Sequence, residues 1–204
     1  QLADSLGADL TEITITAPEM SADTYMARKS YLAEIDAHKD KINYVPLEPA
    51  QTGVFGYWFK YLPKIISTLY TEVQSASVIH AGPSQLLYPR EFLAIVFAWL
   101  CHKKTIFVVD IDWRRSAWMN YKADRWSLKS YLLSSLVYNP ALSVQVRLAC
   151  RFCSLVMLKS QQLVDDYGRG KPNVKNILDT AYSEEHLIAA ESLTAKANSL
   201  LAAE

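Results

Sequence analysis

The stretch Thr105 to Arg115, T-I-F-V-V-D-I-D-W-R-R, constrains this chain more than any other. It starts as a continuous apolar, β-branched run and stops abruptly at two acids, a tryptophan and two arginines. An apolar run without alternation reads as a strand buried on both faces, the kind found in parallel sheets covered by helices. Ligands of open α/β sheets bind beyond the carboxyl ends of the parallel strands, so Asp110, Asp112, Trp113 and Arg114 are expected where a polar ligand is met.

The flanking sequence supports that setting. Ser77 to Gly82 (S-V-I-H-A-G) reads as a strand ending in a small-residue turn, and Pro89 to His102 reads as a helix that carries the chain to the Thr105 strand. Strand, helix, strand at this spacing is a right-handed parallel unit. Upstream, Leu2, Leu6 and Leu10 fall at helical spacing in Gln1 to Leu10. Thr11 to Ala17 then alternates as a strand until Pro18, residues 20 to 40 are a polar helix or loop, and Lys41 to Leu47 is a strand closed by Pro46 and Pro49.

Thr52 to Ala76 is helical by its apolar intervals, with a kink or break expected from Gly53, Gly56 and Pro63. Downstream, Leu128 to Tyr138 and Leu142 to Phe152 are helices separated by a break at Asn139-Pro140. Ser154 to Lys159 is a buried strand, Ser160 to Tyr167 a short helix capped by Gly168, and Asn173 to Leu178 the last strand. Ser183, followed by Glu184 and Glu185, starts a final helix with a good N-cap and acids in its first turn.

Composition narrows the class. Half of the 204 residues are hydrophobic, enough for a sizeable core, and 21 basic residues balance 21 acidic ones, which argues against bulk-charge binding of nucleic acid. Phe92 to Cys101, the longest apolar run, is too short to span a bilayer, and the first residues show no charged region followed by an apolar run of the signal-peptide kind. Three cysteines, an odd number, fit a reducing compartment, so a cytoplasmic location is expected.

Three of these segments together resemble the N-terminal, acceptor-side domain of a GT-B glycosyltransferase of the large retaining group 1, or family 4. They are V-I-H-A-G-P at Val78 to Pro83, the Thr105 to Asp112 strand, and S-L-V-M-L-K-S-Q-Q-L-V-D-D-Y-G followed by N-V-K-N-I-L-D-T at Asn173 to Thr180. The resemblance implies an α/β fold, a Rossmann-like parallel sheet with helices on both faces, forming one half of a GT-B architecture. Residues 1–183 would be that domain, and 184–204 a helix leading to a donor domain. It further implies transfer of a sugar from a nucleotide sugar to a hydroxyl of a glycan, lipid or small-molecule acceptor, with no cofactor and no metal. The nucleotide would be held mainly by the second domain, so this half alone should be catalytically silent. Two departures stand out. The family has a strand and a Gly-rich turn before the first helix, where this sequence already starts in the helix. It also keeps a His in the loop where Asp110 stands.

The resemblance and the strand-end positions together nominate Asp110 and Asp112 as the catalytic pair, and His80, Gly82, Ser84, Trp113, Arg114 and Arg115 as acceptor-binding residues. Each has a structural alternative. The two acids would equally cap the next helix or pair with Arg114 and Arg115. His80 would equally be a core histidine, and the aromatic and basic segment Trp113 to Lys129 would equally pack its tryptophans inward with its cations in solvent. The same segment suits a phosphate, a lipid headgroup or peripheral membrane contact. Cys150 and Cys153 form a C-x-x-C without further ligands and read as core residues. The rival to a transferase is a non-enzymatic Rossmann-like or flavodoxin-like module that binds a ligand or partner.

Overall fold

The structure, a computed structural model, describes residues 11–29 and 41–177. The expected first helix, part of the 20 to 40 segment, the end of the last strand at Leu178, the helix from Ser183 and the boundary at 183 lie outside these residues. The fold is Rossmann-like α/β. Six strands are described: β1 (Ile13–Glu19), β2 (Ile42–Pro49), β3 (Val78–Ala81), β4 (Lys104–Val109), β5 (Leu155–Leu158) and β6 (Val174–Asn176). Every pairing is parallel. Strands β3-β4-β5-β6 form one sheet in that order, and β1-β2 form a second. The helices are α1 (Ala22–Arg28), α2 (54–75), α3 (Arg90–Leu100), α4 (Trp113–Lys122), α5 (128–152) and α6 (161–168).

Successive right-handed crossovers place α3, α5 and α6 on one face of the larger sheet. Thr105, Phe107 and Val109 of β4 are buried against that face. Phe107 and Val109 share a core with Ala81, Val156, Leu158 and Val174 of the neighbouring strands and with Ile95, Val146, Ala149, Leu163 and Tyr167 of the helices. On the other face, Ile106 and Val108 are half-buried. Burial of β4 on both faces, as its unbroken apolar run suggested, is therefore complete on the side of α3, α5 and α6 and partial on the other. Cys150 and Cys153 belong to this core, and burial pushes both thiols up.

A second core joins the β1-β2 sheet to the rest. Leu47 of β2 packs with Tyr57, Ile65 and Leu69 of α2, and Leu93, Ala94 and Phe97 of α3 close over them. Each buried branched side chain contributes roughly 1.5–3 kcal/mol. Glu48, buried at the end of β2, pairs with Arg90 at the start of α3. Arg90 also lies over the rings of Tyr57 and Tyr88.

Proline punctuates this chain less than expected. Strand β1 continues through Pro18 to Glu19 with a register shift there, and β2 runs through Pro46, as an edge strand tolerates. Asn139-Pro140 does not break the helix: 128–152 is continuous, with backbone angles of Leu133, Ser134, Tyr138 and Asn139 all right-handed helical. The chain passes Pro140 by a wide π turn at Ser134–Tyr138, closed by Asn139 N–H donating to Ser134 O. Helix α2 does the same before Pro63, with a π turn at Tyr57–Tyr61 closed by Leu62 N–H donating to Tyr57 O. Widening the turn gives the ring room where a regular turn would press it against the carbonyl four residues back.

Candidate functional site at the carboxyl edge of the sheet

Strand β4 stops at Val109, and the next three residues form the turn into α4. Asp112 is the N-cap of that helix: its Oδ1 accepts from Arg114 N–H at 3.1 Å and from Arg115 N–H at 3.3 Å. The same oxygen lies 3.7 Å from Arg114 Nε. The guanidinium of Arg114 donates to Asp166 of α6 and sits 5.4 Å from the centre of the Tyr167 ring. Its hydrogen bond to Asp166 raises its pKa further. Trp113 packs against the core beside Tyr167, ring centres 6.3 Å apart, with its Nε1 buried and without a partner among the described residues. Asp112, Trp113 and Arg114 thus fasten the start of α4 to α6.

Asp110 is different. It is exposed, and no hydrogen bond or ion pair to another described residue engages its carboxylate. Register sets it beside β5: Val109 is opposite Leu158, so Asp110 leaves the sheet next to Lys159. The amide of Lys159 donates to Val109 O at 2.9 Å, which extends the pairing to the rim. Arg115 is exposed on the first turn of α4 and makes no ion pair with another described residue.

Strand β3 delivers its residues lower. His80 is opposite Ile106, four positions before Asp110, which is roughly 13 Å along the strand direction at ~3.3 Å per residue. Residues 80, 110 and 112 therefore do not converge, because β3 ends before β4 does. His80 lines a cavity of about 150 Å³ between the two sheets instead, with Thr16, Ala17, Arg90 and Glu91. Gly82 does reach the rim strand, since a Cβ there would come within 3.2 Å of Val108 O. Ser84 lies beneath the rim, fully buried. Its amide donates to Gln145 Oε1 at 2.9 Å, its carbonyl accepts from Gln145 Nε2 at 3.1 Å, and its hydroxyl donates to Glu91 at 2.8 Å while accepting from Phe92 N–H at 2.7 Å. With every polar group used, Ser84 positions the loop and offers nothing to a ligand.

The expected set therefore divides. Asp110, Gly82 and Arg115 remain on the open edge; Asp112, Trp113, Arg114 and Ser84 build it. No family model, curated protein or solved structure matches this chain. What sequence reading missed is the second partner in each contact. Gln145 lies mid-helix, Asp166 sits in a run that reads as helix surface, and Lys159 is hidden by the small size of its strand. Only Lys159 carried a signal, as the first polar residue after an apolar strand.

Chemically, the edge offers the carboxylate of Asp110 and the guanidinium fork of Arg115, neither paired with another described residue. A carboxylate accepts hydrogen bonds from hydroxyls, and a guanidinium matches the oxygens of a phosphate.

Proposed function

We propose that this domain is the acceptor-side half of a GT-B glycosyltransferase, presenting a hydroxyl-bearing acceptor at the carboxyl edge of its sheet to a nucleotide sugar held elsewhere. Asp110 accepts the hydrogen bond of the attacking hydroxyl and orients it, and Arg115 contacts phosphate oxygens. The reading is carried by one observation: Asp110 leaves a buried parallel strand with its carboxylate exposed and engaged by no other described residue, while its neighbours Asp112 and Arg114 are tied into the scaffold. Catalytic work assigned to the pair Asp110 and Asp112 narrows on that basis to Asp110.

The test is release of nucleoside diphosphate from a panel of nucleotide sugars by the full protein, with Asp110→Asn and Asp124→Asn side by side. Loss of about 100-fold or more in the first and little change in the second supports the reading. Equal turnover by Asp110→Asn defeats it. The rival reading, a binding module without chemistry, is favoured by the number of edge residues spent on structure. Tight calorimetric binding of a nucleotide sugar or glycan with no turnover would select it.

A further inference from the structure

The two longest helices share a feature that the edge site leaves unexplained. Helix α2 has 22 residues and α5 has 25, so they run about 33 and 37 Å, whereas strands of four to six residues span only ~13–20 Å. Both helices return antiparallel to the strands, so the excess lies at their N-terminal ends, past the carboxyl edge. In α5 no residue from Leu128 through Tyr138 is buried, while Val146, Ala149 and Cys150 further on are core.

These overhangs are apolar where they meet solvent. Phe55 and Phe59 are each 81 % exposed and stack on one another at 6.3 Å. Trp58 beside them donates from Nε1 to Leu87 O at 3.1 Å, which fixes it above the buried ring of Tyr57. On α5, Leu132, Leu133 and Val137 are exposed and Leu136 is 72 % exposed. The charge around them is mainly basic, with the exposed carboxylate of Asp110 on the same edge. Lys60 and Lys64 are the only charged residues between Glu48 and Glu72. From Trp113 to Tyr138, Arg114, Arg115, Lys122, Arg125 and Lys129 face a single acid, Asp124.

We infer that the carboxyl edge docks on an anionic lipid surface. The two overhangs place phenylalanine, tryptophan and leucine side chains at headgroup depth, and Lys60, Lys64, Arg115, Lys122, Arg125 and Lys129 meet lipid phosphates, Arg114 being held by Asp166. The mixture selects this occupant. Nucleic acid would use the cations and leave exposed Leu and Phe without a role, and protein interface cores are depleted in lysine, whereas aromatic and aliphatic residues ringed by Lys and Arg suit a membrane surface. No described helix is long and apolar enough to cross the bilayer, so the contact is peripheral. It requires no sugar transfer and stands or falls apart from that proposal.

The experiment is co-sedimentation of the full protein with phosphatidylcholine vesicles, with and without phosphatidylglycerol. Binding should need the anionic lipid and weaken steeply as salt rises. Leu132→Ser/Leu136→Ser and Phe55→Ser/Phe59→Ser should each lower the bound fraction about ten-fold or more, and Arg125→Glu/Lys129→Glu should abolish it. Leu100→Ser is the control, since Leu100 is 56 % exposed at the opposite edge of the sheet and should leave binding unchanged. Three results would overturn the inference. They are no binding to anionic vesicles, equal loss in the Leu100 variant, and overhang variants that dissociate a self-associated protein without altering vesicle binding.

Discussion

Asp110 and Asp112 are two residues apart in a D-I-D run, and nothing in their spacing tells them apart. What separates them is where β4 stops. Asp112 is close enough to the first turn of α4 to reach two of its free amides, and Asp110 is not. Substitution should expose this difference. Asp112→Ala removes a cap and should lower stability by about 1 kcal/mol in urea unfolding, whereas Asp110→Ala should stay within about 0.5 kcal/mol of the parent. Nearly equal losses would mean that Asp110 has a structural partner after all. The fate of Ser84 was hidden in the same way. The V-I-H-A-G-P-S turn announces a strand end, but only the fold brings Gln145, 61 residues away, onto both the N–H and the carbonyl of Ser84.

At the scale of elements, the order of strands and helices was legible because each buried strand is an apolar run bounded by polar or small residues. Lys104–Val109 and Leu155–Leu158 are the clearest cases. Relative heights were not legible. The offset that separates His80 from Asp110 depends on how far β3 slides along β4, and both strands would look alike under any such shift. Gly168 illustrates a contact between elements that composition alone conceals. It ends α6 where a Cβ would overlap the side chain of Val174 on β6. Gly168→Ala should therefore cost ~1–3 kcal/mol by overpacking, and pairing it with Val174→Ala should recover part of that loss in thermal unfolding.

For the molecule as a whole, the join between the two sheets rests on few residues. Glu48 is 3 % exposed, and neither one of its carboxylate oxygens nor Nε of Arg90 has a hydrogen-bond partner among the described residues. The phenol of Tyr57 beneath them is pushed up to about 12 by burial and stays neutral, so Arg90 is the counter-charge the structure gives Glu48. Arg90→Met should strand that carboxylate and destabilise by ~3–5 kcal/mol, with Glu48→Gln in the same chain restoring much of it. Additive losses in the double variant would show that the two charges do not compensate one another. The prolines offer a different lesson. Pro63 and Pro140 each follow a turn that holds one residue more than a regular helix needs there, and the ring and the surplus residue accommodate one another. The two features are therefore coupled: narrowing the turn while the proline stays would press its ring on the carbonyl four residues back, whereas a turn without the proline has no such need of the added width.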